Sequence, residues 1–398
     1  MFSSLKVRYF RIYWLGMFVS LVGTWVQNVA QSWLVFQLTD SAFLLGVVGF
    51  LGSIPIFLLS LFGGVLADRV DKRNILIFTQ IFFMLLAFLL AFLTQFQLIK
   101  PQQIMFIALL NGVIMAFDAP ARQSIVVELV GREHIYNAIA LNSVAFNSSR
   151  FIGPAIAGVL ISTIGMSGCF YLNGISFLGV IVALFWIKPV RKSAAQKNNS
   201  AIADLKEGLF FIGRNRLILG LLSVVAAVSL FGISYVILMP VVADNVLAVG
   251  AKGLGLLISS AGLGALAGAL ALARLGDFKY KGKLLVSSVF SFSLSLIIFS
   301  LSRNYLLSIV SLVFIGCSSV IAIALINTLL QVNVPDEFRG RVMSLFMITF
   351  AGIMPFGSLI SGGLAQGMGV SAALFICGLI CLLLFGLISL RFPGLRKL

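Results

Sequence analysis

The sequence predicts an all-α integral membrane protein of twelve transmembrane helices, arranged as two parallel six-helix repeats. Three observations predict it. Of the 398 residues, 60% are hydrophobic and only 10% are charged, whereas a soluble domain is about 25% charged. The apolar residues fall into runs long enough to cross a bilayer, which takes about 20 residues in a helix. The basic residues also segregate by loop, as they do in multi-pass proteins. A closed β-barrel would need alternating polar and apolar residues, and stretches such as Ile75 to Leu93 do not alternate.

The spans read as 12–36, 43–67, 75–98, 102–122, 137–163, 167–188, 217–242, 254–275, 284–302, 305–330, 341–366 and 370–390. The first follows a short basic stretch, Met1 to Arg11, that runs straight into apolar sequence with no cleavable signal evident. Between the second and third lies the charged, Gly-led turn Gly64 to Asn74, which must sit at a membrane face. An amphipathic acidic-basic stretch, Glu128 to Asn137, separates the fourth span from the Gly-rich fifth. After the sixth, Arg191 to Ser200 reads as a flexible, solvated linker. It divides the chain into an N-terminal bundle (1–188), a linker (189–216) and a C-terminal bundle (217–398). Gly276 to Lys283 separates the eighth and ninth spans, and Asp336 to Arg341 precedes the eleventh.

This layout puts both termini, the linker and every second loop on one side. That side holds all Lys and Arg except Lys100, Lys252 and Arg303 on the other side and Arg150 within a span. Basic loops stay cytoplasmic, so both termini are expected inside and the protein in the cytoplasmic (inner) membrane. A net charge of +16 would suggest nucleic acid in a soluble chain, but topology accounts for it and no nucleic-acid partner is expected. The four cysteines, Cys169, Cys317, Cys377 and Cys381, all lie in apolar runs and read as small buried hydrophobes. His134 is the only histidine, so no metal site and no cofactor are expected. With no mid-span carboxylate, nothing supports an enzyme. No Gly-Lys-Ser/Thr loop occurs, so ATP drive is not expected.

The halves repeat weakly. A shift of 204 residues lays Gly112 on Gly316, Glu133 on Glu337, Gly153 on Gly357 and Gly158 on Gly362. Two parallel six-helix repeats are an architecture of secondary transporters, with the site near mid-membrane between them.

Gly64-Val-Leu-Ala-Asp68-Arg69-Val-Asp71-Lys72-Arg73 resembles the signature of the major facilitator superfamily between its second and third helices. Asp71 departs from it, since Gly usually stands there. Gly276-Asp277 to Lys283 is a degraded second copy. Val130-Gly131-Arg132-Glu133, Pro240 to Asn245, Arg339-Gly340-Arg341 and Asp118-Ala-Pro-Ala-Arg122 are similar to the branch that holds the enterobactin exporter and the macrolide-efflux proteins. The resemblance covers the whole chain. It implies a major facilitator fold and a role in secondary transport.

Ser149 to Gly158 resembles the exporters' antiporter signature, with Ser149 and Ala157 standing where that pattern has Gly. Small residues let helices approach closely, and Pro154 allows a bend. Gly153, Pro154 and Gly158 are therefore expected in gating, although ordinary helix packing explains them too. The resemblance adds Gly64, Asp68, Arg69 and Arg73 as a conformational latch, with Arg122 beside it; orienting the chain is the plainer role of these charges.

Arg150 is the one basic residue well inside a span. A charge at mid-membrane costs about 2.5–3.5 kcal/mol on insertion scales, so it should face protein or water. It would bind an anionic group of the substrate or act as a fixed charge in the seam; Asn142, Asn147 or backbone carbonyls would otherwise satisfy it. No acidic residue lies at mid-membrane. Asp118 comes nearest and is the proton-coupling candidate, with a structural pair to Arg122 (i, i+4) as the alternative. Thr24, Gln27, Asn28 and Gln31 form one polar stripe on the first span, which suits a cavity wall. The resemblance makes the first, fourth, seventh and tenth helices cavity-lining, which adds Asn111, Met115, Tyr235, Asn327 and Gln331. Interhelical hydrogen bonding competes for each amide.

The expected function is secondary active export of a small organic molecule by alternating access, with proton-coupled antiport as the expected mode and a monomer as the expected state. Siderophore-like metabolites and amphiphilic drugs lead as substrates, and lipid surrounds the protein. A lipid or lysolipid flippase, an importer of the same fold and a non-transporting membrane sensor are the alternatives.

Overall fold

The structure is a computed structural model. It describes residues 3–187, 201–276, 278–392 and 394, together with the backbone but not the side chains of Asp68, Arg132, residues 201–206 and Gly208. The expected linker at 191–200 therefore lies outside the described residues. So do the side chain of Asp68 and residue Asp277.

Among the described residues no strand is present, and twelve helices cross the membrane. They are α1 (Arg8–Thr39), α2 (Ala42–Arg69), α3 (Lys72–Gln95), α4 (Pro101–Gly131), α5 (133–164), α6 (166–186), α7 (Arg216–Val246), α8 (Gly250–Leu275), α9 (Lys281–Leu301), α10 (Tyr305–Asn333), α11 (Asp336–Met368) and α12 (Val370–Arg391). Helices α4 to α6 follow one another as a nearly unbroken helical stretch of 86 residues, Pro101–Trp186. Straight, it would be about 130 Å long, several times the hydrocarbon core of about 30 Å. It is divided at Gly131 (φ 68°) and Gly165 (φ 74°). Glycine takes this backbone conformation without a Cβ penalty, so two single residues replace two loops.

Most helices run beyond the spans expected from apolar runs alone. Helix α1 begins at Arg8 rather than residue 12, and α4 runs on to Gly131 rather than ending at 122. Hydropathy locates the part that must be in lipid, while backbone hydrogen bonding continues until a cap or breaker intervenes. Several caps are visible. The Ser41 Oγ accepts from Leu44 N–H, the Asn304 Oδ1 from Leu307 N–H, and the Asp71 Oδ1 from Arg73 N–H at 2.9 Å. Asp71, the departure from the superfamily signature, is thus the N-cap of α3.

Helix α7 is not the smooth span expected over 217–242. It is α-helical to Ala227, widens to a π turn over Val228–Gly232 and tightens to 3₁₀ over Ile233–Leu238. A second π turn covers Val242–Val246. Pro240 lies in this region with no N–H to give to the preceding turn, and the ladder adjusts around it.

The chain divides into two units. One comprises Met1–Leu44, Leu51–Ala195 and Gly250–Ser259. In it α4 packs tightly on α2, since a Cβ on Gly112 would lie 2.5 Å from the Gly52 carbonyl oxygen. Helix α5 lies on α1, where Gly153 faces Trp25 and Val22. Its apolar core gathers Phe10, Tyr13, Met17, Leu76, Ile125 and Leu184.

The other unit comprises Leu45–Phe50, Gln196–Val249 and Ser260–Leu398. It repeats the same pairings. Gly316 of α10 faces Ala261 of α8, and Gly357 of α11 faces Leu230 and Ser234 of α7. Gly112 with Gly316, and Gly153 with Gly357, are the positions that the 204-residue shift superposes. An additional helix, Ala201–Arg214, precedes α7. It docks on the start of α11 through a Phe211–Phe338 ring stack, with centroids 4.4 Å apart, and a 2.8 Å ion pair from Arg341 to Glu207. Its signal in the sequence is Ile202, Leu205, Leu209 and Ile212 at helical spacing.

Candidate functional site

Polar groups inside apolar helices must find partners or face water, and in the first unit they separate into two groups. The first is a closed cluster around Asp118, which is fully buried on α4. Its Oδ1 accepts hydrogen bonds from Thr79 Oγ1 and Gln80 Nε2 of α3, both at 2.7 Å. Its Oδ2 accepts from Arg122 Nε at 2.9 Å and lies 2.7 Å from Arg122 Nη2. Two bonds from one planar fork and two from α3 use the acceptor capacity of the carboxylate. The expected i, i+4 pair is therefore present, and Asp118 is a tie between α3 and α4. Tyr13 of α1 lies within electrostatic reach of both Arg122 and Asp118. Its hydroxyl and the Gln80 Oε1 are buried with no hydrogen-bond partner among the described residues.

Sequence reading did not assign roles to Thr79, Gln80 or Tyr13. Gln80 carried a signal, because a lone amide in the apolar run of the third span needs a partner. The identity of that partner depended on which face of α4 meets α3.

Around the turn between α2 and α3, Arg73 Nε donates to the carbonyl of Leu184 at 2.7 Å, and its Nη2 donates to that of Phe185 at 3.3 Å. These carbonyls lie in the last turn of α6, where the Leu184 carbonyl also accepts from the Ile187 N–H at 3.3 Å, and a guanidinium there complements the negative end of the helix. Lys72 pairs with Glu128 at the end of α4. Arg69 is exposed, and a Cβ on Gly64 would meet nothing within 4 Å.

The second group is open. On α1, Gln27 is buried and its Oε1 accepts from Asn173 Nδ2 of α6 at 2.7 Å, so it belongs to helix packing. Thr24 Oγ1 donates back to the Ser20 carbonyl. Asn28 is exposed and Gln31 half-buried, and neither has a hydrogen bond among the described residues. The same holds for Asn111 of α4, which is half-buried, while Met115 is 41% exposed.

Arg150 of α5 is half-buried. Among the described residues no hydrogen bond or ion pair joins it. Asn147 Nδ2 donates to the Ser143 carbonyl instead, and Asn142 Oδ1 is buried without a partner. Pro154, one turn on, has no N–H to give to the Arg150 carbonyl. Ser259 Oγ donates to the neighbouring carbonyl, Phe151, at 2.6 Å. Beyond it, Gly158 meets the start of α8. A Cβ there would lie 3.0 Å from the carbonyl oxygens of Ala251 and Lys252, and 3.2 Å from Gly255 Cα. The Gly-Pro segment thus lies in a backbone-to-backbone approach, with an uncompensated guanidinium at its other end.

In the second unit Tyr235 lies buried in the irregular part of α7. On α10, Gln331 Nε2 donates to Asn327 Oδ1 at 2.5 Å, one turn apart.

Comparison with known proteins gives a consistent result. Residues 1–397 match the model of a family described as transmembrane secretion effectors. The chain is 28% identical over 371 residues to the staphyloferrin A transporter of Staphylococcus aureus, covering 91% of each chain. It is 27% identical over 400 residues to the enterobactin exporter of Shigella boydii serotype 4, covering 98% of this chain and 92% of that one. Among solved structures, a D-xylose–proton symporter superposes with a TM-score of 0.77 at 13% identity, covering 97% of this chain and 99% of that one. That likeness concerns the fold.

Proposed function

From the premise that this chain belongs to the transmembrane secretion effector family of major facilitator transporters, we propose that it exports a small anionic organic molecule of the siderophore class. It is a multi-pass membrane transporter, and its family is one of transporters and not of enzymes. Export proceeds by alternating access of the bundles 1–188 and 217–398 in a monomer, in exchange for protons. The protein sits in the cytoplasmic membrane with both termini inside, as the segregation of Lys and Arg supports.

The observation that carries the substrate class is Arg150. Guanidinium stays protonated in proteins, and a charge held within a membrane helix without a protein counterion is costly. An anionic cargo would supply that counterion, with carboxylate or catecholate oxygens matching the planar fork. Asn28 and Gln31, which have no hydrogen bonds among the described residues, are the amides free to assist. The names of the two relatives support a siderophore. Thr24 and Gln27 take packing roles here, and Asp118, with its acceptors filled, acts as a brace.

The test is metabolite profiling of spent medium from iron-starved cells with and without the protein. An anionic iron chelator should disappear from the medium and accumulate in cells lacking it. Arg150→Ala at equal membrane abundance should reproduce that loss, and Arg150→Lys should restore part of the export. Unchanged export by Arg150→Ala would remove the anionic assignment; an unchanged metabolite profile in the deletion would remove the siderophore class.

A further inference from the structure

In the second unit α9 packs against α12, and residues of both helices line a groove of about 690 Å³. Its walls are almost wholly apolar, with Phe290 on α9 and Leu382 and Phe385 on α12. Gly386 forms part of its floor, and a Cβ there would meet nothing within 4 Å. Its polar lining consists of Lys283, Ser287 and Ser389; the Ser287 hydroxyl donates back to the Leu284 carbonyl at 3.0 Å and Ser389 is buried, which leaves Lys283 as the one charged group on the groove. Lys283 is exposed and makes no ion pair among the described residues; its ammonium lies 4.9 Å from the centre of the Tyr280 ring. Lys279, Lys281 and Arg391 lie close by in the chain at the same helix ends.

An apolar trough capped by an unpaired ammonium has the chemistry of one amphiphile with an anionic head. We propose that this groove binds an anionic phospholipid, with its phosphate on Lys283 and one acyl chain lying past Gly386 against Phe290, Leu382 and Phe385. From Lys283 to Phe290 the groove follows about 10 Å of helix, enough for the upper part of an acyl chain. The basic loops place this end at the cytoplasmic leaflet, where anionic lipids attract basic residues and pockets between helices collect their headgroups. The site does not depend on which cargo the protein carries.

The experiment is native mass spectrometry of the full-length protein in detergent, supplied with phosphatidylglycerol and phosphatidylethanolamine of identical acyl chains. Wild type should retain phosphatidylglycerol about fivefold better, the factor expected for one lysine at an anionic headgroup. Lys283→Gln should erase that preference. Gly386→Leu, which fills open space and so leaves the fold intact, should lower retention of phosphatidylglycerol at this stoichiometry. Inorganic phosphate alone should not displace the lipid. Equal retention of the two lipids by wild type, an unchanged preference in Lys283→Gln, or displacement by phosphate would each overturn the proposal. None of these readouts involves transport, so failure here leaves the exporter assignment untouched, and the reverse also holds.

Discussion

Arg122 grips Asp118 with two guanidinium nitrogens, at 2.9 and 2.7 Å, one helical turn away on α4. The carboxylate is fully buried, while the Arg122 side chain keeps 21% exposure. Removing the acid strands a mostly buried cation and the buried Gln80 amide, while the Thr79 hydroxyl can still donate to the Leu76 carbonyl at 3.0 Å. Asp118→Ala should therefore destabilise the protein by about 3 kcal/mol, the lower end for a broken buried pair because Arg122 retains some solvent. The double variant Asp118→Leu with Arg122→Leu should recover most of that loss in thermal unfolding of the detergent-solubilised protein. Transport by Asp118→Asn should scale with the amount of folded protein. Loss of proton dependence in a normally folded Asp118→Asn would instead make Asp118 the coupling carboxylate.

Tyr13 supplies a test of opposite sign. Its hydroxyl is buried beside this cluster with no partner among the described residues. A buried unsatisfied polar group costs about 1–3 kcal/mol. Tyr13→Phe keeps the ring and removes the hydroxyl, so it should raise the unfolding temperature or leave it unchanged. A clear drop would show that the hydroxyl is hydrogen-bonded in the membrane.

Arg73 was expected to take part in gating on the strength of its place in the superfamily signature. Its two bonds run to the terminal carbonyls of α6, at Leu184 and Phe185. Arg73→Ala should cost about 1.5–3 kcal/mol, as expected for charged hydrogen bonds, and should lower transport through lost folded protein. Arg73→Lys reaches with one compact charge rather than a fork and should recover part of the stability. Thermal melting and transport, both normalised to membrane abundance, would separate this role from a latch, in which activity falls while stability holds.

Two signature glycines should behave differently. Gly158→Val would drive its side chain into the Ala251 and Lys252 carbonyls, an overpacking that typically costs 1–3 kcal/mol. It should reduce transport at least tenfold with the protein still inserted. Gly64→Ala meets open space and gains about 1 kcal/mol in helix propensity, so its abundance should be unchanged or higher. Equal transport defects in the two variants would contradict close packing as the reason for Gly158.

How far the chain could be read is clearest at particular residues. The Asp118–Arg122 pair was legible because i, i+4 neighbours on one helix are set by local geometry. Thr79 and Gln80 were not assigned, since their partner lies 38 or 39 positions away on a different helix and the rotation of each helix decides whether they meet. Asp71 looked like a defect in a signature and is a helix cap, a role visible to capping rules once the start of α3 is known. Gln27 belonged to a polar stripe that suited a cavity wall equally well, and Asn173 turned it into the packing. Tyr235 was placed on a regular helix, whereas Pro240 helps to make that part of α7 irregular.

By itself the sequence determined how often the chain crosses the membrane, its two-fold repetition and its family, because these follow from the length of apolar runs, recurring spacing and short local motifs. Tertiary structure alone decided which polar side chains are consumed by packing. Gln27, Thr79, Gln80, Asp118 and Arg73 are held by partners on the same or neighbouring helices, and Arg150 has none among the described residues. The physical reason is that lipid forces every polar group to find a partner or water, while the choice of partner depends on helix rotation and approach, which no local pattern encodes.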